Sequence, residues 1–170
     1  ELGEITLRGG TFTIESDETE FNFSDQGWTW EGGTINGFGI ATNAGVLTLS
    51  SSRSKTLSEV TLANTGTLTW SQGTINGFNG ATIDNSGTVN ITGDIFFDND
   101  TFNNGETPVF VNSGTITRSN SIGTANFEAQ FNNENGTVEV SEGRFTLDAG
   151  GTSTGGTFNV SQIGELAFTG

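Results

Sequence analysis

Thr29 to Phe38 reads TWEGGTINGF, and forty residues later Thr69 to Phe78 reads TWSQGTINGF. Eight of the ten positions are identical. Such self-similarity outranks local propensity, because a short unit that cannot bury its own apolar face must stack on copies of itself. Loosened to apolar, polar, apolar and then a small-residue turn, the phrase recurs at eight places. Its apolar pairs are Ile5/Leu7, Trp28/Trp30, Leu47/Leu49, Leu68/Trp70, Val89/Ile91, Ile116/Arg118, Val138/Val140 and Phe158/Val160. Their second members lie 23, 19, 21, 21, 27, 22 and 20 residues apart, so each interval reads as one coil of a solenoid. Alternation of period two points each apolar pair inward and the residue between them outward. Those intervening residues are Thr6, Thr29, Thr48, Thr69, Asn90, Thr117, Glu139 and Asn159, all polar.

About 21 residues hold three short strands only if the turns are tight. Second strands are read at Thr11 to Ile14, Phe96-Phe97 and Arg144 to Leu147, and a third at Val60 to Leu62. The predicted fold is all-β: a single-stranded parallel β-helix, a three-sided solenoid of about eight coils forming one domain over 1–170. At one inter-strand spacing per coil it would stand about 38 Å tall. Right-handed winding is expected from the general preference of parallel crossovers.

Asn43, Asn64, Asn85 and Asn112 each stand two residues before a glycine, in NAGV, NTGT, NSGT and NSGT. Stacked amides at one turn can bond to one another along the axis, and the glycine is expected to take a positive φ cheaply. In architecture this resembles the asparagine ladder of parallel β-helix proteins such as the pectate lyases. Phrases such as NTGTLTWSQGTING and NSGTVNITGD further resemble the repeats of large secreted bacterial surface proteins and autotransporter-like adhesins. That second resemblance implies an extracellular or cell-surface scaffold or adhesin and brings no catalytic residue with it.

Composition narrows the function. The sequence has 20 acidic and 5 basic residues, a formal net charge of −15, which repels phosphate backbones and anionic lipid. Nucleic acid and membrane insertion are therefore not expected. With no Cys there is no disulfide or thiolate metal site, and no apolar run reaches membrane-spanning length. A start at Glu1 without Met suggests a mature product or an excised piece of a longer repeat protein.

Catalysis is short of parts, since the sequence has no His and no Tyr, and no enzymatic activity is expected. A carboxylate pair could still cleave a glycosidic bond, which keeps a polysaccharide-cleaving enzyme as a third reading. Extra residues must bulge, so the longest coil, between Ile91 and Arg118, is expected to carry a loop from Asp94 to Glu106. Asp98, Asp100, Asn103 and Glu106 offer the hard oxygens that Ca²⁺ prefers, although Gly105 is misplaced for an EF-hand loop. Asp94, Asn99, Asn104 and Arg118 complete a candidate binding surface there. The same clustering is also ordinary turn chemistry, as is the acidic run from Glu15 to Glu20.

Arg118 holds an inward position, so it must meet a carboxylate or sit where the coil opens to water. A structural ion pair and a polar binding pocket both fit. Trp28, Trp30 and Trp70 could stack on sugars if exposed, but parity places them in the core. Paired outward threonines, the pattern of ice-binding solenoids, occur in only two coils, and Glu139 interrupts the row.

The leading expectation is thus a scaffold or adhesive stalk whose partners are further coils of the same chain or identical subunits. A carbohydrate- or Ca²⁺-dependent adhesion module that binds surface glycans is the alternative.

Overall fold

The computed structural model describes residues 5–15, 20–23, 27–100 and 105–170, with the backbone alone at Glu20, Phe21 and Phe23. Among the described residues there are 23 strands and no helix. They form three parallel sheets of eight, eight and seven strands, and every third strand in chain order joins the same sheet. The chain is therefore a three-sided β-solenoid with seven full turns and two sides of an eighth. First-sheet strands open coils 1 to 8 at Ile5–Leu7, Trp28–Trp30, Val46–Leu49, Thr67–Trp70, Thr88–Ile91, Thr115–Arg118, Thr137–Val140 and Thr157–Val160.

Register along the first sheet follows the sequence phrase. Leu49 pairs with Trp70, Trp70 with Ile91, Ile91 with Arg118 and Arg118 with Val140. Leu47, Leu49, Leu68, Trp70, Val89 and Ile91 have no solvent exposure, so the inward column is continuous. The second sheet adds Ile35, Leu57, Ile75, Phe97, Phe127 and Phe145 to the interior, and the third adds Leu62, Ile83, Phe110 and Phe131. Phenylalanines dominate the core of coils 5 to 7, with Phe127 lying 5.0 Å from Phe110 and 4.9 Å from Phe145 between ring centroids. Trp28, Trp30 and Trp70 are buried, as parity requires.

At or next to the end of each third-sheet strand in coils 2 to 6 an asparagine points inward. The Asn43 Nδ2 amide donates to Asn64 Oδ1 (2.6 Å), Asn64 to Asn85 (2.7 Å), Asn85 to Asn112 (2.8 Å) and Asn112 to Asn133 (2.9 Å). The Asn43 and Asn64 amides also donate to the carbonyls of Thr67 and Thr88, the first residues after the turn of the coil below. Trp28 Nε1 donates to Asn43 Oδ1 at the top (3.2 Å). These amides are wholly buried, so the bonds between coils are what make their burial tolerable. Asn133 was not among the expected four, because its turn reads NENG, with one residue more before the glycine. Asn135 absorbs that residue in the left-handed region at φ 61°.

The turn glycines serve another purpose than the expected one. Gly66, Gly87 and Gly114 do not have positive φ. A Cβ on Gly66, Gly87 or Gly114 would come within 2.2 Å of a carbonyl oxygen in the coil above, so glycine is required there by close stacking of successive turns. Left-handed glycines stand at the corner between first and second sheets, at Gly10, Gly33, Gly73 and Gly143, and in the third-to-first turn only at Gly27 and Gly155 among the described residues.

Ladder geometry makes a direct prediction. Asn85→Ala removes the ladder donor to Asn112 Oδ1 and one acceptor of Asn64, and should destabilise the chain by about 2–3 kcal/mol in urea unfolding. At the lower end Asn133 Nδ2 is buried without a partner, and its register partner is Ser153. Ser153→Asn should extend the ladder and raise stability by about 1 kcal/mol. An unchanged urea midpoint for both variants would mean that the ladder is incidental.

Candidate functional site

Two of the corners carry charge of different kinds. All five basic residues, Arg8, Arg53, Lys55, Arg118 and Arg144, lie at or beside the corner between first and second sheets. The corner between second and third sheets holds Glu15, Glu59, Asp100, Glu106, Glu128 and Asp148 with no cation.

Most first corners are short. In coils 2, 4 and 7 only two residues separate the strands. Coils 3 and 6 instead insert five, Ser50 to Ser54 and Ser119 to Gly123, and each of these corners has a fully buried cation on its flanking strand. Lys55 Nζ donates to the carbonyls of Ser51 and Arg53, both at 2.9 Å. Arg118 Nη2 donates to Gly123 O at 3.0 Å. Longer corners leave carbonyls turned inward, and a cation whose stem fills the adjacent core position satisfies them.

Arg118 also meets Asp94 Oδ1 at 3.5 Å, and Ser121 Oγ donates to the same oxygen at 2.9 Å. The sequence left open an ion pair or a polar pocket; the geometry is that of an ion pair at the rim of the core. Its carboxylate is 62% exposed, so water still reaches one partner. Burial pushes the guanidinium down from its ordinary value, and the charges of Asp94 and Glu142 oppose that. Nε and Nη1 remain buried without partners.

Lys55 was missed in the sequence. It stands where the second sheet has Ile75 and Gly33, its register partners, and the alternation Lys55/Leu57 is the signal that could have revealed it. Burial pulls its ammonium down to about 8.

The expected loop from Asp94 to Glu106 is divided by the fold. Ile95–Asn99 is a second-sheet strand, so Asp94 lies at one corner and Asp100 and Glu106 at the next. The extra residues of the longest coil therefore fall between Asn99 and Val109 in the sequence. Asp94 joins Arg118, well apart from the others. Asp98 points outward from the strand, Asn99 ends it, Asp100 donates its backbone N–H to Gly77 O, and Glu106 O accepts from Gly80. Asn103 and Asn104 lie outside the described residues. Among the described residues no three Asp or Glu side chains converge as a metal-binding group.

The structure does bring Asp98 against Glu128. Glu128 and Asp148 follow the paired residues Phe127 and Leu147, so Asp98, Glu128 and Asp148 stand in one outward column on coils 5, 6 and 7. Burial, a hydrogen bond shared with Asp98 and the charges of Asp98 and Asp148 raise Glu128 above the usual carboxylate range. Beside this column a shallow groove of about 300 Å³ opens on the outer face of the second sheet, lined by Phe96, Asn126, Arg144 and Asp148 among others.

No protein-family model matches the chain, and no curated protein or solved structure matches it either.

Lys55 permits a clean pH experiment. The sequence has no His, Cys or Tyr, so its single lysine is the one side chain that titrates between neutrality and the arginine range. Folding lowers its pKa from 10.5 to about 8, so between those values the unfolded chain binds more protons. Stability should accordingly rise from pH 8 to pH 10.5, by at most about 3 kcal/mol. Urea midpoints across this range should show the rise in the parent chain and lose it in Lys55→Met. A midpoint that falls with pH would contradict the burial of a charged amine.

Proposed function

We propose that this chain is a structural and adhesive β-solenoid segment of a secreted or cell-surface bacterial protein, whose coils stack end to end with further coils of the same kind. The observation that carries the reading is the open last coil. Val138 and Val140 in coil 7 are buried, whereas Val160, in register with Val140, is 47% exposed. Phe168 is 65% exposed, and Phe131, Leu147, Phe158 and Phe168 line a cavity of about 320 Å³ at this end. Strands Gly151–Thr154, Thr157–Val160 and Gly164–Phe168 are each paired on one side only. At the other end Ile5 is 45% exposed while its register partner Trp28 is buried.

Unpaired parallel edges bordered by apolar side chains are templates for more of the same structure. A coil laid on this end would continue all three sheets and cover Phe158 and Phe168. The composition supports a scaffold over an enzyme: with no His, Tyr or Cys, few groups are left to act as nucleophile or base at neutral pH. A net charge of −15 suits a solvated outer surface, and the repeat phrases resemble those of large bacterial surface proteins.

Light scattering over a concentration series tests the stacking. The parent chain should grow into elongated oligomers, and the edge-blocking pair Val160→Lys with Phe168→Lys should remain monomeric. A parent chain that stays monomeric at every concentration removes end-to-end association. Labelling of intact producing cells tests the location, and a signal found only inside them would contradict the surface reading.

A further inference from the structure

Coil 8 is open along its lower face, and the shape of that opening selects a partner. In each sheet a strand lies beside the one three places later in the chain, and the third sheet has seven strands against eight in the other two. The next place on the rod is therefore beneath Gly151–Thr154, on the third side. The inward positions of that strand hold Gly151 and Ser153, in register with the buried Phe131 and Asn133. Small residues there leave the cavity of about 320 Å³ under Phe131, with Phe158 and Phe168 on its walls. Gly164–Phe168 has the opposite shape: Leu166 and Phe168 follow the buried Phe145 and Leu147 inward, and neither is fully covered.

Charge points to a like partner. The chain carries −15 overall, yet from Ala149 to Gly170 its only charged side chain is Glu165, which Arg144 holds at 3.5 Å. The sequence of the first coil, from Ile5 to Gly27, carries Glu15, Asp17, Glu18, Glu20 and Asp25 against Arg8 alone. Two last coils can therefore meet without the repulsion that two first coils would suffer.

We infer that the last coils of two copies of this chain join tail to tail about a twofold axis perpendicular to the rod. The inference rests on the reading of the open end as a joining surface, and it names the partner and the polarity. Such an axis keeps the hand of the coil and reverses the direction of the chain. It places the second copy's Gly164–Phe168 beneath Gly151–Thr154, the reciprocal pair on the second side, and Thr157–Val160 against its own copy. All three sheets then continue through antiparallel pairs, and each copy's Leu166 and Phe168 fill the space left by the other's Gly151 and Ser153. A copy added head to tail in the same sheets would begin with its first-sheet strand Ile5–Leu7 and leave the place beneath Gly151–Thr154 empty over the cavity. Across the first-sheet pair, inward residues must face inward residues. Only the register that sets Asn159 opposite its own copy gives both Phe158 and Val160 an apolar partner, each facing the other. The joint leaves no free strand edge at this end, so the oligomer it makes is a rod of two chains.

Single cysteine substitutions report the joint, because the sequence has none of its own. Antiparallel pairing holds opposite Cα atoms about 4.5–5.5 Å apart, within disulfide reach. Under mild oxidation Asn159→Cys should form a covalent dimer about tenfold faster than Thr69→Cys, which is outward in the same sheet at mid-rod. Val160→Lys added to Asn159→Cys should remove that advantage, and light scattering of the parent chain should level off at twice the chain mass. In a mixture with Thr6→Cys, Asn159→Cys should pair with itself and not with Thr6→Cys. Both cysteine positions are outward, so the melting curves of these variants should match the parent. Cross-links between positions 159 and 6, or a mass that grows past two chains, would overturn the twofold joint and leave end-to-end stacking standing. Equal rates for Asn159→Cys and Thr69→Cys would also overturn it, and a parent that stays monomeric as well would remove stacking with it.

Discussion

Parallel, in-register stacking is the constraint on which the rest of this structure depends, and the buried asparagine ladder is the interaction that enforces it. An apolar column of Leu49, Trp70 and Ile91 could tolerate some sliding, because dispersion and apolar burial are not directional. The amides of Asn43, Asn64, Asn85, Asn112 and Asn133 cannot. A shift of one residue in any coil would orphan a buried donor and acceptor and turn the core side chains outward together. Polar specificity and apolar stabilisation thus reside in separate columns of the same rungs.

That division explains what was legible in the sequence. Period-two alternation with coil-length spacing is a strong signal, and it located the first-sheet strands and their register, including the inward position of Arg118. Four of the five ladder residues were readable because asparagine and glycine kept a constant spacing; Asn133 escaped because its turn gained Asn135. The reason for the turn glycines was not readable, since a clash with Gly45 O or Gly66 O exists only once coils are stacked. Lys55 was hidden by its charge: a lysine before Thr-Leu-Ser looks like a turn residue until the five-residue corner beside it is seen to need a donor.

Candidate binding residues were harder, and for a physical reason. Sequence proximity groups residues along the chain, whereas a solenoid groups them across it, one residue from each coil. Asp94 and Asp98 are close in sequence but stand at opposite ends of a strand, while Asp98, Glu128 and Asp148 form a column. Phe96 gave no sign in the sequence that it would stand outward over smaller neighbours. The two flanks of the rod consequently differ in kind. The first corner spends its cations on satisfying carbonyls and neighbouring carboxylates, and the second presents uncompensated acid to solvent.

Because the chain has no cysteine, the stacking itself can be read by paired cysteine substitution. Thr69 and Asn90 are outward register partners on successive coils, and their Cα atoms are separated by one strand spacing of about 4.8 Å, within disulfide reach. Thr117 lies one coil further, about 9.6 Å from Thr69 and beyond that reach. Under mild oxidation, Thr69→Cys with Asn90→Cys should cross-link rapidly within one chain, and Thr69→Cys with Thr117→Cys should not. Equal cross-linking of the two pairs, or none for the first, would contradict the coil-upon-coil stacking from which every other feature is derived.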